Sequence, residues 1–157
     1  MNRFTFFFFL CLSVNIYSQN KPVYPLPING FKRVDLLLPK IDNTENFKVE
    51  VKFSFEAEII ECADADFSIY TSDLKAKYGI PNSQRYPYYE IAKGAGDLSE
   101  GITSDCKSKN KVKKKIFSSQ SINIEYQSYY PIPFYIPNGW SLEYRVWKAS
   151  EKFTNVN

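Results

Sequence analysis

Hydrophobic and polar residues alternate most regularly between Lys48 and Ile59. Apolar side chains occupy every second position of this segment, and charged residues or serine fill the positions between them. A period of two places successive side chains on opposite faces of a β-strand. The segment therefore predicts a long strand with one buried face.

The rest of the chain contains shorter apolar runs that are bounded by proline, glycine and asparagine. Such runs predict further strands, at 31–38, 86–91, 116–117, 122–126, 131–136 and 142–147. The prolines of 21–27 indicate an extended arm, residues 63–87 show a mixed pattern, and the polar stretch 94–105 is interpreted as an exposed loop. No amphipathic helix of ten residues is predicted. The fold class expected is all-β, an antiparallel β-sandwich or barrel with long loops.

The N-terminus carries a targeting signal. Arg3 precedes a short apolar run that ends before Asn15, as in a secretory signal peptide. The run is too short for a transmembrane helix, which needs roughly 20 apolar residues. We expect cleavage near Ser18 or Gln19, so that 1–19 is the signal peptide and 20–157 is one periplasmic or secreted domain. A lipoprotein site at Cys11 is the weaker alternative, since large residues precede it.

Two cysteines, Cys62 and Cys106, remain after that cleavage. In an oxidising compartment two cysteines most simply form one disulfide. A metal pair would need a second pair of ligands nearby, and a catalytic thiol would need a histidine to activate it.

Histidine is absent from the chain, which excludes serine triads and His-ligated metal sites. The aromatic content of 17% suits a β-rich protein or a binding surface, and the net charge of +3 is too small to indicate a nucleic-acid partner. Neither a cofactor nor a membrane contact after signal cleavage is expected. A run of lysines is interpreted as the solvated face of a strand, with a polyanion patch as the alternative; it comprises Lys107, Lys109, Lys111, Lys113, Lys114 and Lys115.

The C-terminal string from Tyr144 to Lys152 closely resembles the terminal strand of the ecotin family, the periplasmic inhibitors of trypsin-fold serine proteases. The stretch from Ile124 to Pro137 aligns with that family without a gap. Further matches spread over nearly the whole mature chain, at Tyr24-Pro25, Gly30, Lys32-Arg33, Lys48-Val49-Glu50, Tyr88-Tyr89 and the two cysteines. The chain is longer than the family pattern between Cys62 and Tyr86 and between Ile91 and Cys106.

The resemblance implies an inhibitor that presents a loop to a protease as if it were substrate. The implied reactive-site loop comprises Gly101, Ile102, Thr103, Ser104 and Asp105. Counting back from Cys106 places the scissile bond between Thr103 and Ser104. Better-known members of the family carry methionine where Thr103 stands, and a small β-branched residue leaves a deep pocket partly empty. The resemblance therefore implies trypsin-fold partners with an elastase-like preference.

The resemblance also implies a second protease contact and a homodimer. The contact residues are Gln84, Arg85, Tyr86 and Pro87 in one loop and Glu125, Tyr126, Gln127, Tyr129 and Tyr130 in the other. Pro87 and Glu125 depart from the family, which carries an acid and a base at these positions. The implied dimer exchanges the C-terminal strand, through Tyr144, Arg145, Val146 and Trp147. The alternative is that this strand pairs within its own chain.

Two other functions compete with inhibition. A secreted β-sandwich that binds carbohydrate or a cell-surface ligand could use Trp140 and Trp147. An enzyme could use only carboxylates such as Asp64 and Asp66, for which a polar loop is the simpler interpretation.

Overall fold

The computed structural model describes residues 23–80, 84–102, 104–150 and 152–156. The predicted signal peptide and Thr103 lie outside the described residues. The described part of the chain forms two single-turn 3₁₀ helices, Thr44–Asn46 and Thr71–Asp73, and a series of strands. The strands are β1 (Phe31–Leu36), β2 (Phe47–Ile60), β3 (Ala63–Ser68), β4 (Leu74–Tyr78), β5 (Pro87–Ile91), β6 (Asp97–Ile102), β7 (Lys111–Ser118), β8 (Ile122–Glu125), β9 (Ile132–Pro137) and β10 (Trp140–Lys148). The all-β prediction is confirmed.

The strands form two sheets. One sheet has the order β1-β9-β5-β4, and the other has the order β10-β2-β7-β3-β6, with β8 also pairing with β2. Most neighbours are antiparallel, but β5 pairs with β9 and β3 pairs with β7 in parallel. Both sheets are therefore mixed, rather than purely antiparallel as the sequence predicts.

Strand β2 is the long strand that the alternating pattern predicts, and its apolar positions Val49, Val51 and Phe53 are almost fully buried. Its polar face is less exposed than the pattern indicates. Glu50 is only 8% exposed because side chains of β10 cover it, and Ser54 is completely buried. A pattern within one strand cannot show what its neighbour places over it.

Aromatic residues fill the space between the sheets. Phe53 of β2 contacts Phe134 of β9, with ring centroids 6.2 Å apart. Trp140 stacks on Phe55 at 5.6 Å and meets the edge of Phe67 at 4.9 Å. Such pairs add to the burial of large apolar surfaces. The two sheets therefore pack face to face around one core.

The stretch 94–105 is only partly the exposed loop expected from its composition. Asp97–Ile102 forms β6, an edge strand whose six residues are all exposed. Gly96 leads into it with φ +94°, and a Cβ at this position would lie 2.6 Å from Cζ2 of Trp140. Glycine is thus required where the chain passes the tryptophan ring.

The mixed stretch 63–87 contains β3 and β4, which the sequence pattern did not resolve. The N-terminal arm crosses the four-stranded sheet, where the Tyr135 hydroxyl donates a hydrogen bond to the carbonyl of Pro25 at 2.5 Å. In the part of the chain that the structure describes, no helix has the length and apolarity needed to span a membrane.

Candidate functional site

The predicted reactive segment begins in an edge strand and ends in a turn. Gly101 and Ile102 are the last residues of β6 and pair with Asp64 and Ala63 of β3. Ser104 and the following Asp105 are exposed in the turn beyond the strand. The segment is therefore extended and accessible at the edge of the six-stranded sheet.

The predicted disulfide between Cys62 and Cys106 is confirmed, with Cα atoms 5.7 Å apart. It joins the end of the turn to the start of β3. On the same side the Glu61 amide donates to the carbonyl of Asn110 at 2.9 Å. The segment is consequently fixed at both ends, by pairing with β3 before it and by a covalent link after it. This arrangement reduces the conformational entropy that docking would cost.

The residues of the predicted second contact lie together around one groove of about 660 Å³. Both predicted loops contribute to it, and no described residue of the reactive segment lines it. The lining residues are Tyr78, Gln84, Arg85, Tyr86, Pro87, Tyr89, Asn123, Ile124, Glu125, Tyr126, Gln127, Tyr129, Tyr130 and Ile132.

Two tyrosines join the loops that form this groove. The rings of Tyr86 and Tyr130 meet edge to face with centroids 4.4 Å apart. Their hydroxyls also interact, and the hydrogen bond with Tyr130 is the main cause that raises the pKa of Tyr86. Tyr86 has φ +60°, a left-handed conformation that is rare for a bulky residue. The contact with Tyr130 offsets part of the cost of that conformation.

Other groove residues differ in how tightly they are held. Tyr89 stacks on Phe134 at 4.9 Å, and its burial raises the pKa of its hydroxyl. Tyr129 is 80% exposed. The Nε2 atom of Gln127 is buried and has no hydrogen-bond partner among the described residues. The groove thus combines a packed tyrosine, Tyr89, an exposed tyrosine, Tyr129, and a buried amide donor without a described partner, Gln127.

The predicted dimer strand lies within β10, which pairs with β2 of the same chain from Trp140 to Lys148, the alternative to strand exchange. Tyr144 and Val146 share a strand face with the buried Trp140, yet they are 45% and 42% exposed. On the opposite face Arg145 donates two hydrogen bonds to Glu50 at 2.6 and 3.1 Å. The Trp147 indole donates a third at 2.5 Å.

The lysine run lies in and before β7, which is an interior strand of the six-stranded sheet. The expectation of a solvated strand face agrees with the contacts. Lys113 pairs with Glu56 at 2.5 Å, and Lys115 pairs with Glu143. These carboxylates neutralise part of the basic face, which weakens the polyanion alternative.

The two competing functions find less support. Trp140 is 8% exposed and belongs to the core, so that only Trp147 remains available to a carbohydrate. Asp64 and Asp66 lie on one outward face of β3, beside β6. Among the described residues, no group of three or more Cys, Asp or Glu side chains is placed to hold a metal ion.

Sequence reasoning missed parts of both sites. Leu98 and Glu100 belong to the same edge strand as the reactive segment. Their only signal is a weak alternation between Leu98 and Ile102 within polar sequence of low strand propensity. Tyr78 and Tyr89 complete the groove from β4 and β5.

Comparison with known proteins gives one family. A sequence model of the Ecotin family matches residues 20–149. An ecotin-like protein of Methylobacillus flagellatus is 28% identical, over 88% of this chain and 81% of its own length. The ecotins of Pseudomonas fluorescens and Serratia proteamaculans are 29% and 28% identical, each over 82% of this chain, and over 76% and 72% of their own lengths.

Proposed function

The chain belongs to the ecotin family, which implies a protease inhibitor rather than an enzyme, and we propose that it inhibits trypsin-fold serine proteases as a substrate mimic. The reactive segment is Gly101 to Asp105. The observation that carries this proposal is the exposed, extended segment fixed between β3 and the Cys62–Cys106 disulfide. The inhibitor acts outside the cytoplasm, after removal of the signal peptide 1–19.

Family spacing, counted back from Cys106, gives Thr103–Ser104 as the scissile bond. A threonine or another β-branched residue of this segment fits a small pocket and leaves a deep one partly empty. The mismatch costs about 1 to 3 kcal/mol. The proposed preference is therefore for elastase-like over trypsin-like proteases.

Inhibition constants of the wild-type protein against an elastase, a chymotrypsin and a trypsin test this function. The expected order has the elastase inhibited most tightly. Thr154→Arg, a substitution in the exposed C-terminal tail, is the control and should leave the order of the three inhibition constants unchanged. Absence of inhibition of all three enzymes would refute the proposal.

The groove lined by Tyr86, Tyr129 and Tyr130, the tyrosine groove, supplies a second contact with the protease, away from the active site. Tyrosine is enriched among the hot spots of interfaces, and truncation of a hot spot costs about 2 kcal/mol or more. Tyr129→Ala should therefore weaken inhibition by about 30-fold. Tyr70→Ala, at a tyrosine that is 59% exposed and does not line the groove, is the matched control. Equal effects of the two variants would remove the groove from the interface.

A homodimer forms through β10. The support is its position at the sheet edge together with the uncovered side chains of Tyr144 and Val146. Pairing with the same edge of a second copy would close both edges. Val146→Glu should give a monomer in sedimentation analysis, whereas Val156→Glu in the exposed tail should not. A dimer that survives Val146→Glu contradicts this interface.

A further inference from the structure

The backbone groups of β3 show which residues of β6 face outward. The carbonyl of Ala63 accepts a hydrogen bond from Lys114 Nζ at 3.0 Å, and the carbonyl of Phe67 accepts one from the Ser119 amide at 2.9 Å. Both donors lie on the β7 side of β3. In an extended strand the N–H and C=O of one residue point to the same side, and those of the next residue point to the other. Ala63, Ala65 and Phe67 therefore face β7, whereas Asp64, Asp66 and Ser68 face β6.

The register of the two strands carries this pattern to β6. Its residues Gly101, Ser99 and Asp97 lie opposite Asp64, Asp66 and Ser68, so these are the pairs that exchange main-chain hydrogen bonds. The main-chain groups of Leu98, Glu100 and Ile102 consequently point to the other edge, where no described strand lies. This edge of the reactive segment is free to pair.

A substrate-like strand binds a protease by main-chain pairing with an extended segment of the enzyme. The residue in the primary pocket and the residue two positions before it share the edge that faces the enzyme, and the residue between them faces away. Thr103 in the pocket would require the main-chain groups of Gly101, which β3 already holds. Ile102 in the pocket requires those of Glu100, which pair with no described strand.

From this pattern we infer that the residue bound in the primary pocket of the protease lies one position before the one that family spacing gives. Ile102 occupies the pocket, and Ile102–Thr103 is the scissile bond. Glu100 is the main-chain partner of the enzyme, and Leu98 extends the pairing. The inference rests on the proposed function, because it requires this segment to be the reactive site. The chain is longer than the family pattern between Ile91 and Cys106, the interval that contains β6, and a shifted register is compatible with that extra length.

The side chain of Ile102 suits this role. It is 55% exposed, aliphatic and β-branched, so the elastase-like preference is the same for both registers. Slow hydrolysis in the complex would add water across the Ile102–Thr103 amide, leaving a carboxylate on Ile102 and an amine on Thr103. The Cys62–Cys106 disulfide would hold the two fragments together.

The test places arginine at each position in turn and measures the inhibition constant for trypsin. Ile102→Arg should improve trypsin inhibition by about 10- to 200-fold, whereas the matched variant Thr103→Arg should change it little. The wild-type protein gives a second measurement that does not depend on a variant folding. After long incubation with elastase and reduction of the disulfide, the new N-terminus should be Thr103.

The outcomes separate the two proposals. A gain in trypsin inhibition for Thr103→Arg alone, or a new N-terminus at Ser104, overturns the shifted register and leaves the inhibitor function intact. Inhibition of elastase by the wild-type protein without a gain for either arginine variant also overturns the register. If the wild-type protein inhibits no trypsin-fold protease, the proposed function fails and the register fails with it.

Discussion

Gly96 controls the position of the reactive strand, and Gly96→Ala is the sharpest test of that control. A Cβ at this position would lie 2.6 Å from Cζ2 and 2.7 Å from Cη2 of Trp140. Both distances are shorter than any tolerated contact, so either the ring or the backbone must move. The ring is held by Phe53, Phe55 and Phe67, whose centroids lie 4.9 to 6.3 Å from it. The backbone that leads into β6 is therefore expected to move.

The structure gives two contributions to the cost. Alanine at φ +94° adopts a conformation that costs about 1 to 3 kcal/mol. Overpacking against Trp140 adds about 1 to 3 kcal/mol. Gly94 offers a matched control, because its φ is +79° and nothing lies within 4 Å of its Cβ position. Gly94→Ala should show the conformational cost alone.

Urea unfolding of both variants measures the difference. With a denaturant dependence of about 1 to 3 kcal/mol per molar urea, the midpoint of Gly96→Ala should lie roughly 0.5 to 2 M below that of Gly94→Ala. Displacement of β6 should also weaken protease inhibition by Gly96→Ala and not by Gly94→Ala. Equal midpoints for the two variants would refute the proposed clash with Trp140.

Two further predictions concern stability. The pKa of Glu50 is lowered from 4.5 to about 2, first by the hydrogen bond from Arg145 and then by those from Ser121 and Trp147. The stability that this carboxylate provides is therefore complete above about pH 4.5 and lost as the pH falls towards 2. Glu50→Gln should flatten acid unfolding in that range, and an unchanged acid profile would contradict the assignment. Replacing both disulfide cysteines by serine opens a link between positions 44 apart. The free energy of unfolding should fall by about 4 kcal/mol, which thermal unfolding of the wild type and the double variant can measure, and a much smaller loss would contradict the loop-entropy estimate.

The sequence predicted the elements in which side-chain periodicity is strong. Strand β2 has apolar residues at every second position, and β9 and β10 are separated by a clear turn at Asn138-Gly139. The sequence did not predict strand β6, because contacts with neighbouring parts of the chain, and not its own side-chain pattern, determine that it is a strand. Pairing with β3 and the glycine that passes Trp140 place Asp97–Ile102 at the sheet edge, and its own residues have little strand propensity.

The candidate sites followed from the resemblance more than from residue patterns. No local pattern indicates that Tyr86 and Tyr130 meet, since they lie 44 positions apart and strands of both sheets lie between them. The sequence shows that Glu125 departs from the family pattern, but it does not show which residues surround Glu125 in the fold. In the structure Glu125 lies opposite Lys48 in the β8–β2 pair, at the edge of the tyrosine groove.

The topology separates the two surfaces proposed for association. Strands β10 and β6 are the opposite edges of one sheet, with β2, β7 and β3 between them. Strands lie about 4.8 Å apart, so the two edges are roughly 19 Å from each other across a paired, disulfide-linked sheet. A second copy on β10 therefore leaves the main-chain groups of Leu98, Glu100 and Ile102 uncovered. The second copy would pair with β10 and the protease with β6, so dimer formation and protease binding need not compete. Each chain of a dimer therefore keeps its own β6 edge available to a protease.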